Sequence, residues 1–355
     1  MLADDGPCLS TDLARQLVGR LGLTPEAARK RISRHASIKK LAYLTFPRNA
    51  RFVYLQEQYG SPWFWRALVE ALLETSPAYG GAIAALQQRG GLMPKAHFFI
   101  ACGSPLAQQK HLSPQIVLDR LTQAKLLEEI DVPGTGPCVA RKQHGVFYAE
   151  LIPAMQARLV VEDILLKAVR GWARSLGLVS YDKTKIRGEG LDLPKVGTFA
   201  WDFSAPSYLG GLVERSADGK PSPGFLVCDI VLDHEVTANG IAPFLQKCKT
   251  LRALKKVGRC IQLFIAEKYS GEAFRLAKSQ GIMPGTPATL FGEEVAVALR
   301  RLSEVLRQAP GGLIPDAEVD AWLERRIPLV YKLAKEEWRD RTFHFEFWTT
   351  GRLSP

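Results

Sequence analysis

The chain has 355 residues, 46% of them hydrophobic and 23% charged, which argues against wholesale disorder and allows two or three domains. Its formal net charge of +11 predicts a polyanionic partner, with nucleic acid ahead of a membrane surface, although a basic protein without such a partner stays the alternative. No apolar run is long enough to span a bilayer, and Met1 to Ser10 lacks the apolar stretch of a signal peptide. Six scattered cysteines without a C-x-x-C pair favour free thiols, so a cytoplasmic protein is expected.

Residues 1–60 predict helices followed by a strand, the order of a winged-helix-like DNA-binding module. A helix is expected from Ser10 to Leu21, ended by Gly22, and another begins with Thr24 as its N-cap. The second helix is expected to turn Ala27, Ala28 and Ile32 inward. The predicted DNA-binding residues of this helix and of the hairpin after it are Arg29, Lys30, Arg31, Arg34, Lys39, Lys40, Arg48 and Arg51.

That prediction rests on how a helix-turn-helix binds DNA. Its second helix enters the major groove, and lysine and arginine hold the phosphates. The alternative is a small helical interaction domain whose basic face is only solvated.

Residues 61–150 predict a second, looser winged-helix-like module. Helices are expected from Phe64 to Glu74, from Pro77 to Gln88 and from Gln115 to Lys125, and a hairpin turns at residues 133–137. Because the last helix is less basic than its counterpart in the first module, this module is expected to pack or dimerise rather than bind DNA. His97 and His111 flank Cys102 without zinc-like spacing, so both are expected to be structural.

Residues 151–310 predict an α/β domain, and residues 311–355 a helical extension. A long helix, Met155 to Leu176, contains Glu162. Asp202 is expected on a strand from Thr198 to Ala205, and Asp229 on the next buried strand, Gly224 to Leu232. A basic helix, Ile241 to Lys256, follows, then alternating strands and helices.

The order over residues 155 to 307 resembles the PD-(D/E)xK, or restriction-endonuclease-like, superfamily. An acid on each of two successive strands, followed by helix, strand and helix, carries the resemblance, together with the segment from Ala266 through Ser270-Gly271-Glu272 to Gly281-Ile282. The resemblance implies that Asp202 and Asp229 are the two acids that bind Mg²⁺. Such a metal activates water and neutralises charge on the phosphate of DNA.

The sequence departs from this family where the catalytic lysine is expected, because Val231 stands two residues after Asp229. Lys247 on the following helix is the best substitute, so the candidate catalytic residues are Asp202, Asp229, Lys247 and Glu162. Lys249 and Arg252 of the same helix are expected to contact DNA.

Two functions are favoured, and a third class, an RNA-binding adaptor, is less expected because no aromatic stacking motif for single strands is visible. One is a Mg²⁺-dependent DNA endonuclease acting in phage defence, restriction or mobile-element maintenance, with duplex DNA, other protein subunits and a second copy of the chain as expected partners. The alternative is a non-catalytic winged-helix regulator or assembly factor with an inactive nuclease-like domain. No phosphate-binding loop of the G-x-x-x-x-G-K-[ST] type occurs, so no ATPase is predicted.

Overall fold

The computed structural model describes residues 1–142, 148–190, 192–215 and 221–308, and it shows a mixed α/β chain. Its helices are α1 (Leu2–Asp5), α2 (Ser10–Leu21), α3 (Pro25–Arg34), α4 (Pro62–Thr75), α5 (Pro77–Gln88), α6 (Lys95–Ala101), α7 (Pro114–Gln123), α8 (Tyr148–Ser175), α9 (Ala238–Arg252), α10 (Gly271–Ser279), α11 (Pro287–Phe291) and α12 (Glu293–Gln308). The helical extension expected over residues 311–355 lies outside the described residues. None of the helices in the described ranges combines the length and apolar content needed to cross a membrane.

The strands form five sheets among the described residues. They are β1 (Cys8–Leu9), β2 (Ile38–Lys40), β3 (Phe52–Leu55), β4 (Leu92–Pro94), β5 (Leu127–Val132), β6 (Gly136–Arg141), β7 (Lys185–Ile186), β8 (Lys195–Val196), β9 (Phe199–Ala200), β10 (Phe203–Ser207), β11 (Glu214–Arg215), β12 (Pro221–Ser222), β13 (Gly224–Val236), β14 (Cys260–Tyr269) and β15 (Met283–Gly285). We call residues 1–60 the first module, residues 61–142 the second module and residues 148–308 the C-terminal domain.

The first module places α2 and α3 beside an antiparallel sheet of order β1-β3-β2. Gly22 ends α2 in the left-handed conformation at φ 64°, and the Thr24 side chain caps α3 by accepting from the Ala27 N–H at 3.2 Å. Both helix boundaries are as predicted. The expectation that Ala27 faces inward is wrong, because only Ala28 and Ile32, one helical turn apart, are buried on α3.

The second module repeats the order of the first. In each, a helix, a short strand and two helices lead into a hairpin, and the last strand lies in the middle of a three-stranded sheet: β1-β3-β2 and then β4-β6-β5. The two modules share one core, in which Phe46 and Phe52 of the first join Phe64, Leu68 and Leu72 of α4. The first module is therefore anchored to the second by apolar packing.

The C-terminal domain is a five-stranded sheet of order β15-β14-β13-β10-β7 between two layers of helices. The strands β13, β14 and β15 are parallel, and β10 and β7 are antiparallel to their neighbours. Side chains of β13 alternate: Leu226, Cys228 and Ile230 pack with α8 and α12, whereas Val227 and Val231 pack with α9 and α10. The helices α8 and α9 thus cover opposite faces of the sheet.

The strand predicted from Thr198 to Ala205 is interrupted, and Asp202 lies in the interruption. β9 pairs with β8, whereas β10 pairs with β13, so the chain changes partners at Trp201 and Asp202. The predicted helix from Ile241 to Lys256 also ends early, at Arg252.

The second module docks on the C-terminal domain through α5 and α6. The Gln88 side chain donates to the Glu235 carbonyl at 3.0 Å, and the Leu106 N–H donates to the Thr198 carbonyl at 2.7 Å. Backbone atoms of Pro243 in α9 lie so close to Gly103 that a Cβ there would come within 2.6 Å of the Pro243 carbonyl oxygen. We call this docking surface the interdomain contact.

Candidate functional site

Asp202 and Asp229 lie side by side at the centre of the sheet. The pairing of Phe203 with Cys228 brings Asp202, just before β10, opposite Asp229 of β13. The Asp202 N–H donates to Asp229 Oδ1 at 3.2 Å, and the Ile230 N–H donates to Asp202 Oδ2 at 2.8 Å. Each carboxylate therefore accepts a backbone hydrogen bond from the other's strand, in a place that is closed to solvent.

Glu162 of α8 joins this cluster through Arg187, a residue that the sequence prediction missed. Arg187 Nη1 donates to Asp202 Oδ1 at 2.7 Å, and Arg187 Nη2 donates to Glu162 Oε2. The other oxygen of Glu162 accepts from the Leu232 N–H at 3.0 Å and lies 3.8 Å from Arg158 Nε. One guanidinium thus binds two carboxylates from two elements, the bridging geometry for which arginine is suited.

Lys247 reaches Asp229 from α9. Its ammonium donates to Asp229 Oδ2, to the Ala200 carbonyl at 2.9 Å and to the Ile100 carbonyl at 3.2 Å, and it lies 4.0 Å from the centre of the Trp201 ring. An ammonium has three N–H donors, so all three are used. The structure therefore gives Lys247 a fixed position beside Asp229 and a contact with the second module.

Burial and neighbouring charges shift the pKa values of Asp229, Arg187 and His97. Burial raises the pKa of Asp229 to about 6, against the Lys247 ammonium, which lowers it. Burial lowers the pKa of Arg187, but the carboxylates of Asp202 and Glu162 more than reverse this, so its pKa lies above the usual value. Burial and the charges of Arg187, Arg89 and Arg158 hold the pKa of His97, on α6, well below 6.5.

The arrangement does not fit the expected Mg²⁺ site. All six carboxylate oxygens of Glu162, Asp202 and Asp229 already accept from a protein N–H or ammonium donor. Within the described ranges, no group of three or more His, Cys, Asp or Glu side chains is placed to hold a metal ion. A divalent cation needs carboxylate oxygens free to coordinate it, and here those oxygens are taken.

Contacts with the second module close the cluster, and the sequence prediction did not include these contacts. Arg89, just after α5, donates to the Ile230 carbonyl at 3.2 Å, and Arg158 of α8 donates to the carbonyls of Arg89 at 2.5 Å and Leu92 at 3.0 Å. These arginines are 6% and 2% exposed. The sequence around Arg89, an arginine followed by two glycines, contains no motif that indicates a role in the cluster. That role depends on the Ile230 carbonyl, which is 141 residues away in the sequence.

The predicted DNA-binding residues lie apart from this cluster. All eight in the first module are exposed, four on α3 and four on the hairpin region that follows. Lys249 and Arg252 are exposed in the last turn of α9, and Arg252 also donates to the Gln280 carbonyl at 2.7 Å. The structure thus brings together Glu162, Asp202, Asp229 and Lys247 and leaves the cations at the surface of two other regions.

Comparison of the chain with family models, curated proteins and solved structures gives no match. The resemblance to the PD-(D/E)xK superfamily stays a prediction from the residues quoted above.

Proposed function

We propose that the chain is a duplex-DNA-binding protein, that its first module contacts the DNA, and that its nuclease-like C-terminal domain is non-catalytic. The observation that carries the proposal is the set of exposed, unpaired cations on α3 and the hairpin. Within the first module, Arg15 pairs with Asp12 and Arg20 with Asp5. The eight predicted DNA-binding side chains, by contrast, have no ion-pair partner among the described residues, so their charges are available to phosphates.

The order of elements supports a winged-helix arrangement. In this arrangement α3 is the second helix of a helix-turn-helix and the segment between β2 and β3 is the wing. Only Ala28 and Ile32 of α3 are buried, so the rest of the helix is free to enter a groove. Arg48 and Asn49, in the wing, have left-handed backbones at φ 57° and 56°.

The charge of the second module supports assigning DNA contact to the first. Residues 25–55 of the first module contain eight Lys or Arg and one acid, Glu26. The corresponding segment of the second module, residues 114–142, contains four Lys or Arg and four Asp or Glu. Since phosphate attraction depends on net positive charge, the same order of elements supports DNA binding in one module and protein packing in the other.

Replacing Arg31 and Arg34 by alanine should lower affinity for duplex DNA on the order of tenfold or more. It should also reduce the slope of log affinity against log salt by about 1.8, because each phosphate contact contributes about 0.9. Fluorescence anisotropy over a series of salt concentrations measures both quantities.

The matched control for that experiment replaces Arg15 and Arg20, two arginines of the same module that are already paired with acids. This variant should keep both the affinity and the slope. A slope that stays the same in the Arg31 and Arg34 variant would remove α3 from the DNA interface.

The non-catalytic half of the proposal rests on the occupied carboxylates. We expect the purified chain to leave duplex, nicked and single-stranded DNA intact with Mg²⁺ or Mn²⁺, because the acids hold protein cations. The assay compares wild type with Asp229→Asn at matched DNA occupancy. Cleavage by wild type that Asp229→Asn abolishes, with DNA affinity unchanged, would establish the nuclease function instead.

Lys249 and Arg252 are a second proposed phosphate contact. Both residues lie in the last turn of α9, where a positive side chain also stabilises the helix by interacting with the negative end of its dipole. They are therefore weaker evidence for DNA contact than the cations of the first module.

A further inference from the structure

We infer that the Lys247 ammonium and the Arg187 guanidinium take the place of a divalent metal in the acidic cluster, which is formed by Glu162, Asp202 and Asp229. In a nuclease-like fold, a metal would lie where these two cations are. Lys247 also links the second module to the C-terminal domain. This goes beyond the proposed DNA binding, and it concerns residues that touch no part of the first module's basic surface.

The charge balance of the cluster is the first step. Three buried carboxylates, Glu162, Asp202 and Asp229, face three buried cations, Arg158, Arg187 and Lys247. Arg89, buried beside them, is a fourth cation, so the protein cations already balance or outnumber the carboxylates without any added ion. Because an unpaired charge is costly to bury, an added divalent ion would leave two further positive charges uncompensated unless protein cations left the cluster.

The placement of the two cations is the second step. The ionic partners of Asp202 and Asp229 come from opposite faces of the sheet. Arg187 links Asp202 to Glu162 of α8, whereas Asp229 is bound by Lys247 of α9. A shared metal would need oxygens of both aspartates to turn toward one point, and here each is drawn to its own cation.

The geometry around Lys247 is the third step. Its ammonium has one carboxylate and two carbonyl acceptors, from Asp229, Ala200 and Ile100, and the face of the Trp201 ring completes its surroundings. This is a buried, oxygen-lined site, and the cation that fills it is the side chain of Lys247 itself. Val231, where the nuclease family has lysine, is fully buried among apolar side chains on the same face.

The link to the second module follows from the Ile100 carbonyl. That carbonyl belongs to α6, so the ammonium that neutralises Asp229 also binds the second module to the C-terminal domain. The cluster thus has a structural role at the interdomain contact.

The test measures binding of the metal alone to the full chain. Titration of wild type with Mn²⁺, followed by electron paramagnetic resonance of free Mn²⁺ and by the melting temperature, should show no site that depends on Asp229. Lys247→Ala should lower the melting temperature on the order of 10 °C, because it leaves a buried carboxylate unpaired. Mn²⁺ should restore part of this loss, since the vacated space offers a carboxylate and carbonyl oxygens.

The matched control is the double variant Asp229→Asn, Lys247→Ala, in which Mn²⁺ should restore nothing. The inference is overturned if wild type binds Mn²⁺ at a site that Asp229→Asn removes, or if folded Lys247→Ala gains no stability from Mn²⁺. If Lys247→Ala does not fold, the wild-type titration with its Asp229→Asn control decides alone. DNA affinity is measured separately, so failure of the DNA-binding proposal would not affect this result.

Discussion

Replacing Arg187 by methionine should destabilise the protein by about 5 kcal/mol or more, the largest effect expected for a single side chain. Removing one partner of a buried ion pair typically costs about 3–5 kcal/mol, because a charge is left uncompensated. Arg187 compensates two carboxylates, those of Glu162 and Asp202, and both are 1% exposed. Since domains are typically stable by about 5–15 kcal/mol, this loss removes roughly a third or more of the stability, and the variant is expected to unfold at a much lower urea concentration than wild type.

Urea denaturation followed by circular dichroism measures this loss, and an exposed ion pair of α8 supplies the control. Lys167 pairs with Asp163 at 2.7 Å, but the two side chains are 37% and 46% exposed, so water screens the pair and Lys167→Met should change stability by no more than about 0.5 kcal/mol. Adding Glu162→Gln and Asp202→Asn to Arg187→Met should recover part of the loss, because the buried negative charges are then gone. A loss under about 1 kcal/mol would show that Arg187 is not the compensating charge.

Gly103→Ala should open the interdomain contact and cost about 3 kcal/mol or more. Gly103 has φ +76°, which costs an alanine about 1–2 kcal/mol. In addition, its Cβ would lie 2.6 Å from the carbonyl oxygen and 3.0 Å from the Cα of Pro243. Because these are backbone atoms of α9, no side-chain rotation relieves the contact, and α9 and α6 must separate.

Gly134→Ala distinguishes the two causes. Gly134 has nearly the same φ, +74°, but no atom lies within 4 Å of the Cβ that an alanine would add, so only the backbone cost of about 1–2 kcal/mol should appear. Hydrogen exchange should show faster exchange at α6 and α9 in Gly103→Ala alone. Equal losses in the two variants would mean that Pro243 yields to the added methyl group.

What the sequence predicts well in this chain is what neighbouring residues determine. Thr24 caps α3 through the Ala27 N–H, and Gly22 ends α2, so both helix ends follow from a few consecutive side chains. The placement of Asp229 on a buried strand follows in the same way from the apolar residues around it.

What the sequence does not predict is set by distant partners. Apolar alternation through Phe199, Trp201 and Phe203 predicts one strand, but the chain exchanges β8 for β13 as its partner at Asp202. Likewise, two aspartates on successive strands suggest a metal site only while their oxygens are free. That Arg187 and Lys247 occupy them depends on hydrogen bonds from residues 15 and 18 positions away, on other elements.

The interdomain contact also sets an order of events during synthesis. Arg89 and its acceptor Ile230 are 141 residues apart, and Ile100 and Lys247 are 147 apart. At a translation rate of about 5–20 residues per second, the second module waits roughly 7 to 30 s on the ribosome before its partners emerge. The core of Leu13, Leu17, Ala28, Ile32 and Val53 lies within the first 55 residues, so α3 can pack on α2 and β3 while the rest of the chain is still being made, whereas Phe46 and Phe52 must wait for α4 to complete their core.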